Sequence, residues 1–200
     1  MSEPARAPEQ LRRFGGGGVS AFGEMLVVGL VVTAASLPLI TMLPAIAAGV
    51  RHFDGHLAAR DDSLQAFMGL VWRSVRSGWW FGLCWITVLT ALGAGAVLGA
   101  RGVLPGGEAY AVVCLLLALG VALIGLRSAA LWDPVTGWRG LRRRGSALVL
   151  DDPVGTGYLL VGVLVAGVVV WMLPPLVVIT PGLVVLAIVA AERRRRARAA

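Results

Sequence analysis

The sequence predicts an all-α, polytopic membrane helix bundle with about five transmembrane helices and two amphipathic helices on the cytoplasmic surface. Three observations lead to this fold class. Only 14% of the 200 residues are charged, against about 25% in soluble domains. The mean hydropathy is +0.82. Five apolar segments alternate with arginine-bearing ones, and about 20 apolar residues are enough to cross a bilayer as a helix.

The N-terminal 24 residues are expected to form a flexible polar tail, because they carry a GGGG run at 15–18 and three arginines. The first apolar segment, 25–50, has no convincing cleavage site behind a short hydrophobic region. It is therefore predicted to be a retained span and not a signal peptide. Further spans are predicted at 79–100 and 108–126, within a single transmembrane domain over 25–191.

The last apolar run extends over 158–191. As one straight helix its 34 residues would measure about 51 Å, against a hydrocarbon core of about 30 Å. Pro174 and Pro175 lack amide donors and restrict the residues before them, which disfavours an uninterrupted helix. Two short spans are predicted instead, at about 156–173 and 176–191, followed by a basic cytoplasmic tail over 192–200.

Arginine placement predicts the orientation of these spans. With five spans, 14 arginines fall on one side of the membrane and four on the other, whereas four spans divide them nine against nine. Basic residues favour the cytoplasmic side. We therefore expect a multi-pass protein of the bacterial inner (plasma) membrane, with its N-terminus outside and its C-terminus in the cytoplasm.

The connecting segment 63–78 has the pattern of an amphipathic helix. Phe67 and Val71 recur at helical spacing among other apolar residues, with arginines on the other side. Asp62 and Gln65 resemble a capping pair at its start. This segment is predicted to lie on the cytoplasmic membrane surface.

The segment 136–150 shows the same character, with Trp138 and Leu141 three residues apart beside a basic cluster. We expect the two segments to present a basic face to anionic lipid headgroups, and we expect no nucleic-acid partner. The arginines of this predicted face are Arg73, Arg76, Arg139, Arg142, Arg143 and Arg144.

Ionisable residues inside membrane spans usually mark ion or proton pathways. The five predicted spans contain them only at their edges, which disfavours a self-contained proton-coupled carrier and leaves a facilitator of neutral solutes open. Cys84 and Cys114 each lie within an apolar run and are predicted to be packing residues, not a disulfide or metal site. No phosphate-binding motif is present, and we expect no cofactor.

The HFDGH stretch offers one alternative with chemistry. His52 and His56 share a helical face, and Asp54 with Asp61 or Asp62 would complete a set of metal ligands. The stretch lacks the glutamate of a metalloprotease HExxH motif. A solvated interfacial loop is the favoured interpretation, so we expect no metal and no catalytic residue here.

The stretch SLPLITMLPA places two prolines inside the first predicted span. Pro38 and Pro44 each disrupt backbone pairing, so the carbonyls that they free need other partners. Thr41 is expected to supply one of those partners. We predict a structural kink at the cytoplasmic end of the span.

This stretch also resembles the YesL-like family of bacterial integral membrane proteins, a domain family without an established activity. The resemblance extends over about 20–191 and is most specific over 36–80. A Pro-Gly pair at 181–182 is similar too. The residues that match are Leu37, Pro38, Ile40, Thr41, Pro44, Ala45 and Ala48, then Phe67, Trp72, Arg73 and Arg76.

The resemblance implies association with bacterial carbohydrate uptake, and it supplies no catalytic residues. The leading hypothesis is a non-enzymatic membrane protein that is accessory to a carbohydrate ABC importer and contacts its permease subunits. One alternative is a facilitator of a small neutral solute, in which the break from Pro38 to Pro44 presents free carbonyls and Thr41 to the solute. The other is a lipid-acting enzyme that depends on His52, His56, Asp61 and Asp62.

Overall fold

The computed structural model describes residues 16–56, 63–102, 106–135, 137–138, 140–173 and 180–199. Within these ranges the chain is helical and contains no β-strand, only an isolated bridge between Asp133 and Gly137. The predicted all-α class is confirmed. The helices are α1 (Gly16–Ala35), α2 (Met42–His56), α3 (Leu64–Ala100), α4 (Gly107–Ala130), α5 (Leu141–Asp151), α6 (Pro153–Met172) and α7 (Thr180–Ala199).

Three helices in the described part of the chain, α3, α4 and α6, are long and apolar enough to cross a membrane. Their most apolar 18-residue windows have mean hydropathies of 2.0, 2.6 and 2.1. Only 22–28% of the residues in those windows are buried within the protein. Because so many apolar side chains face outward, these helices need an apolar surrounding, as a membrane protein does.

The predicted first span over 25–50 is not one helix, and this prediction was wrong. It is divided between α1 and α2, which pack side by side in opposite directions. Glu24 in the first half of α1 contacts His52 near the end of α2, at 2.7 Å between Oε1 and Nε2. A Cβ placed on Gly49 would lie 2.8 Å from Cγ2 of Val32. The chain therefore reverses, where a single kink was expected.

The reversal is made by SLPLITMLPA. A 3-10 turn at Leu39–Thr41 follows Pro38, and the Thr41 hydroxyl donates to the carbonyl of Ala35. The carbonyl of Pro44 accepts a 2.8 Å hydrogen bond from Ser74 on α3. These two bonds end on backbone oxygens that flank the turn, and the Ala34 carbonyl, four residues before Pro38, accepts from the Leu37 amide at 3.4 Å.

The residues of SLPLITMLPA differ in how far they are exposed to solvent. Leu37 is 80% exposed, whereas Pro44 and Ala45 are buried at the start of α2. Gly82 of α3 lies against the Ile40 carbonyl so closely that a Cβ would overlap that oxygen. The hairpin is therefore held against α3 by backbone contact.

Helix α3 is the second departure from the sequence prediction. The predicted surface helix 63–78 and the predicted span 79–100 form one continuous helix of 37 residues, about 55 Å long. Ser63 caps it by accepting from the Ala66 amide at 3.2 Å, while the expected capping residue Asp62 lies outside the described residues. Phe67 and Val71 face inward as predicted.

Helix α2 is the centre of the bundle. Its residues from Leu43 to Val50 are all buried, and α1, α3, α4 and α7 all contact it. Helices α3 and α4 form an antiparallel pair in which Trp85 Nε1 donates to the Val121 carbonyl at 3.0 Å. Closer to their connection, Gly99 meets Gly107 backbone to backbone, because small residues allow helices to approach closely.

Helix α5 covers most of the second predicted amphipathic segment. Leu141, Gly145 and Leu148 are buried against the bundle, and Gly145 packs against Ser128 of α4. Arg142, Arg143 and Arg144 are exposed on the opposite side. The predicted basic face is thus present on α5, within Leu141–Asp151 instead of 136–150.

Candidate functional site

Charged and polar side chains meet at one end of the bundle, which we call the arginine-rich end. It comprises the C-terminal ends of α2, α4 and α7, the N-terminal end of α6, and helix α5. The ion pairs and hydrogen bonds described below join these elements to one another. We consider this end as the candidate functional site because chemistry-bearing side chains from distant parts of the sequence converge there.

Arg127 is the most deeply buried charge of the arginine-rich end, with 1% of its surface exposed. Its Nη2 donates to the Asp152 carboxylate at 3.0 Å and to the Thr156 hydroxyl at 3.2 Å. Gly155 lies so close that a Cβ there would overlap the Asp152 carboxylate. A buried charge is tolerated only when it is paired and hydrogen-bonded, so this pair joins α4 to the start of α6.

A second network links α2 to α7. Asp54 accepts from Arg193 Nε at 3.1 Å and pairs with Arg196 at 3.2 Å. Glu192, which is 6% exposed, accepts from Arg195 at 2.6 Å and from Arg196 at 3.3 Å. Burial alone would raise the pKa of Glu192, but the hydrogen bonds and positive charges of Arg195 and Arg196 outweigh it and lower the pKa.

His52 is occupied by structural contacts. It is 5% exposed, binds the Glu24 carboxylate at 2.7 Å, and stacks on Phe67 with ring centroids 4.3 Å apart. The other candidate ligands Asp61 and Asp62 lie outside the described residues. Within the described ranges no three His, Cys, Asp or Glu side chains are grouped as a metal site would require.

The predicted basic face is exposed where the structure describes it. Arg142, Arg143 and Arg144 point outward from α5, and Arg73 and Arg76 point outward from the first half of α3. Arg139 lies outside the described residues. Among the described residues, no hydrogen bond or ion pair connects the side chains of the two α3 arginines with those of the three α5 arginines.

A cavity of about 340 Å³ opens between α5, α6 and α7. Four charged side chains line it, Asp151 and Asp152 on one side and Arg194 and Arg195 on the other. Leu148, Gly155 and Ala191 supply the remaining lining. A liquid water molecule occupies about 30 Å³, so the cavity has room for a polar group of several heavy atoms.

Sequence reasoning missed this constellation. Arg127 and Glu192 lie at the edges of predicted spans, a position that does not indicate what they pair with. Their partners are far apart in sequence: Arg127 bonds a residue 25 positions away, and Arg193 bonds one 139 positions away. The Asp-Asp-Pro sequence before α6 was the one available signal, because Asp152 caps that helix by accepting from the Gly155 amide at 3.0 Å.

No protein-family model, curated protein or solved structure matches this chain. The resemblance of 36–80 to the YesL-like family therefore stays a prediction. What the chain does has to be argued from the geometry of its own residues.

Proposed function

We propose that this chain is a non-enzymatic integral protein of the bacterial plasma membrane, and that its arginine-rich end lies at the cytoplasmic surface and binds anionic lipid headgroups. One observation carries the proposal. The α1–α2 hairpin turns the chain back within the first apolar segment, which brings the N-terminal end of α1 to the same end of the bundle as the arginine-bearing segments after α2 and after α4 and the C-terminal end of α7.

The direction of each helix follows from its contacts. Helices α1 and α2 run antiparallel, as described above. Helices α2 and α3 also run antiparallel, since Phe67 contacts His52 and Ser74 contacts Pro44. Helices α3 and α4 form the antiparallel pair described above. Arg127 joins the end of α4 to the start of α6. Helices α6 and α7 are antiparallel because Tyr158 contacts Arg194, whereas Gly162 meets Ala187.

Apart from α5, the described helices alternate in direction along the chain, and there are six of them: α1, α2, α3, α4, α6 and α7. An even number of reversing helices returns the chain to the end of the bundle where it began. The start of α1 and the end of α7 thus belong to the same end of the protein. Of the 18 arginines in the sequence, Arg101 is the one that lies in the connection between α3 and α4, at the opposite end. Basic residues favour the cytoplasmic side, so both termini are proposed to be cytoplasmic, in place of an external N-terminus.

The exposed arginines of α5 fit a membrane surface. Each basic residue near an anionic bilayer contributes about 1 kcal/mol of attraction, and Arg142, Arg143 and Arg144 are adjacent and exposed. Leu141 and Leu148 hold the helix to the bundle, so its basic face is fixed in orientation. A rigid row of three cations is a better headgroup contact than a mobile tail, because less freedom is lost on binding.

The resemblance to the YesL-like family supports a role beside a carbohydrate ABC importer. Permease subunits would then contact the arginine-rich end or the helices that face lipid. Co-purification of tagged protein from membranes tests this role: permease subunits should be recovered above the level seen with an unrelated tagged membrane protein. Recovery of only lipid and abundant proteins would remove the importer from the proposal.

A solute facilitator built on SLPLITMLPA receives less support. Such a site needs open carbonyls, and the oxygens of Ala35 and Pro44 accept from Thr41 and Ser74. Flux of sugars or polyols into liposomes that contain the protein, compared with a Thr41→Val variant, tests that alternative. Flux that depends on Thr41 would favour it over the present proposal.

Reporter fusions test the proposed orientation. A fluorescent protein that folds only in the cytoplasm should be bright at either terminus, and an alkaline phosphatase that is active only outside should be active after Arg101. Active phosphatase at the N-terminus would overturn the two-cytoplasmic-ends arrangement.

Lipid preference is measured in liposomes, by quenching of tryptophan fluorescence with brominated lipids. The triple variant Arg142→Gln, Arg143→Gln, Arg144→Gln should lower the preference for phosphatidylglycerol over phosphatidylcholine several-fold. Arg101→Gln is the matched control at the opposite end and should leave it unchanged. An equal effect of both variants would contradict the proposal.

A further inference from the structure

The cavity between α5, α6 and α7 combines both signs of charge at one place. Asp151 and Asp152 lie on the side where α5 meets α6, and Arg194 and Arg195 belong to the last turns of α7. A site for a simple anion would be lined by cations and amides, and a site for a cation by carboxylates. A lining with both suits a ligand that itself carries both charges.

Two of the four charged side chains are already paired within the protein. Asp152 accepts from Arg127 and from the Gly155 amide, and Arg195 donates to Glu192 at 2.6 Å. These contacts hold the walls of the cavity in place. The remaining two, Asp151 and Arg194, have no ion pair with any described residue and are the groups that are available to a ligand.

Arg194 shows the strongest sign of a missing partner. Its Nη1 is shielded from solvent and has no hydrogen-bond partner among the described residues. Its guanidinium carbon lies 4.9 Å from the ring centroid of Tyr158, which holds the side chain over the face of that ring. The guanidinium as a whole lines the cavity and has no ion pair among the described residues, and a phosphate oxygen bound there would supply a charge-assisted hydrogen-bond acceptor for it.

The cavity is also continuous with a lipid-facing surface. On α6, the apolar face beside the cavity is exposed along its length at spacings of three and four residues, which place its members on one side of the helix. A phospholipid with its headgroup in the cavity would lay its acyl chains along this face. The residues of the face are Val154, Tyr158, Val161, Val165 and Val168, which are 44–58% exposed.

We propose that this cavity binds the headgroup of an aminophospholipid, with the phosphate on Arg194 and the primary ammonium on Asp151. The inference deepens the proposed function, because it rests on the arginine-rich end lying at a membrane surface. The proposed function requires only that exposed arginines attract anionic headgroups. The present inference adds that a site with two opposite charges selects one class of headgroup. The ammonium supplies three N–H donors to the carboxylate, which a quaternary choline group lacks.

Native mass spectrometry of the full-length protein tests the proposal. Delipidated protein in detergent is mixed with equal amounts of phosphatidylethanolamine, phosphatidylcholine and phosphatidylglycerol. One phosphatidylethanolamine should be retained with a preference on the order of tenfold over either of the others, as expected for one charge-assisted hydrogen-bonded contact.

Two variants separate the two halves of the headgroup. Asp151→Asn should remove the preference for phosphatidylethanolamine over phosphatidylglycerol, and Arg194→Gln should weaken binding of all three lipids at this site about tenfold. Arg101→Gln, which follows α3 at the opposite end of the bundle, is the control and should leave the preference intact. Circular dichroism of each variant shows that the helices are retained. Because Asp151 is exposed at the end of α5, its variant keeps the test valid even if Arg194→Gln fails to fold.

Three outcomes would overturn the proposal. Equal retention of phosphatidylcholine would show that the ammonium is not recognised. Preference for phosphatidylglycerol that is unaffected by Asp151→Asn would show a purely anionic site, and the proposed anionic-surface function would survive that result. Displacement of the lipid by water-soluble phosphoethanolamine at equal concentration would show that the acyl chains contribute nothing and that a free metabolite is the ligand.

Discussion

The contact between Gly99 and Gly107 makes a quantitative prediction about the α3–α4 pair. A Cβ at position 99 would lie 2.5 Å from the Gly107 carbonyl oxygen and 3.0 Å from the Ala111 amide nitrogen, whereas ordinary contact begins at 3.4 Å. Both neighbours are backbone atoms that cannot rotate away. Gly99→Ala therefore forces the two helices apart by about 1 Å at this crossing.

The matched control lies on the same helix. A Cβ on Gly93 would have nothing within 4 Å. Both substitutions gain helix propensity, about 1 kcal/mol for Gly to Ala, so this gain cancels between them. The overlap at position 99 remains, and forcing an extra methyl group into a packed interface costs about 1–3 kcal/mol. Gly99→Ala should accordingly unfold more easily than Gly93→Ala by that amount.

Unfolding of the purified protein in detergent, followed by denaturant titration or by the midpoint of thermal unfolding, measures the difference. Cysteine crosslinking across the pair gives a second measurement of the helix separation. If Gly99→Ala were as stable as Gly93→Ala, the close crossing of α3 and α4 would be refuted. Loss of stability in Gly93→Ala alone would refute it as well.

The remaining predictions concern buried polar groups. Ser74→Ala removes the hydroxyl that satisfies a carbonyl at the hairpin and should cost about 1–3 kcal/mol; Ser77→Ala, whose exposed hydroxyl bonds its own helix, should change stability by less than about 0.5 kcal/mol. Arg127→Gln breaks the ion pair with Asp152, in which the arginine side chain is 1% exposed, and should lower the free energy of unfolding by about 3 kcal/mol. Arg51→Gln breaks the ion pair with Asp133, in which the arginine side chain is 41% exposed, and should lower it by less than about 1 kcal/mol. Glu192→Gln should lower the unfolding midpoint at pH 7 and have a smaller effect at pH 3, because the folded-state pKa of this carboxyl is lowered. Its stabilisation is fully present above the unfolded-state pKa and is lost as the pH falls through the folded-state pKa.

Each of these has a result that contradicts it. Equal effects of the two serine variants would mean that the Ser74 hydroxyl does not support the turn. A larger loss from Arg51→Gln than from Arg127→Gln would reverse the ranking by burial. A Glu192→Gln effect that is the same at both pH values would show that the charge of this carboxylate does not stabilise the fold.

Helix boundaries were predictable where composition alone decides them. The predicted span 108–126 lies within α4, Gly107–Ala130, because an uninterrupted apolar run has one favourable structure in a bilayer. The buried side of α5 was visible in the spacing of Trp138 and Leu141, which are both buried. In these cases the local pattern and the tertiary structure agree, so the sequence was sufficient.

The boundary predicted after residue 78 fails for a physical reason. The composition changes after residue 78, from a segment with arginines to an apolar run, and this change predicts a boundary between a surface helix and a span. In the structure Gly78 makes room for the indole of Trp138, which donates from Nε1 to the Ser74 carbonyl at 3.3 Å. A glycine that permits a close side-chain approach is indistinguishable in sequence from one that ends a helix.

The hairpin and the cavity were beyond sequence reasoning for a related reason. Two prolines are compatible with a kink or with a reversal. The choice depends on Ser74, which lies 30 residues after Pro44, and on Gly82, which lies further along the chain. The cavity depends on Arg194 and Asp151, which only the antiparallel packing of α6 and α7 brings together. Pairings at this separation leave no periodic signal in a single sequence.

The network between α2 and α7 has a consequence for biosynthesis. Asp54 emerges from the ribosome 139 residues before its partner Arg193, and chain elongation proceeds at about 5–20 residues per second. The carboxylate on the central helix therefore waits roughly 7–28 s for its cations. During this time the nascent α1–α2 hairpin has to be sheltered by the insertion machinery or kept near the aqueous boundary, and completion of the last helix is the event that fixes it in place.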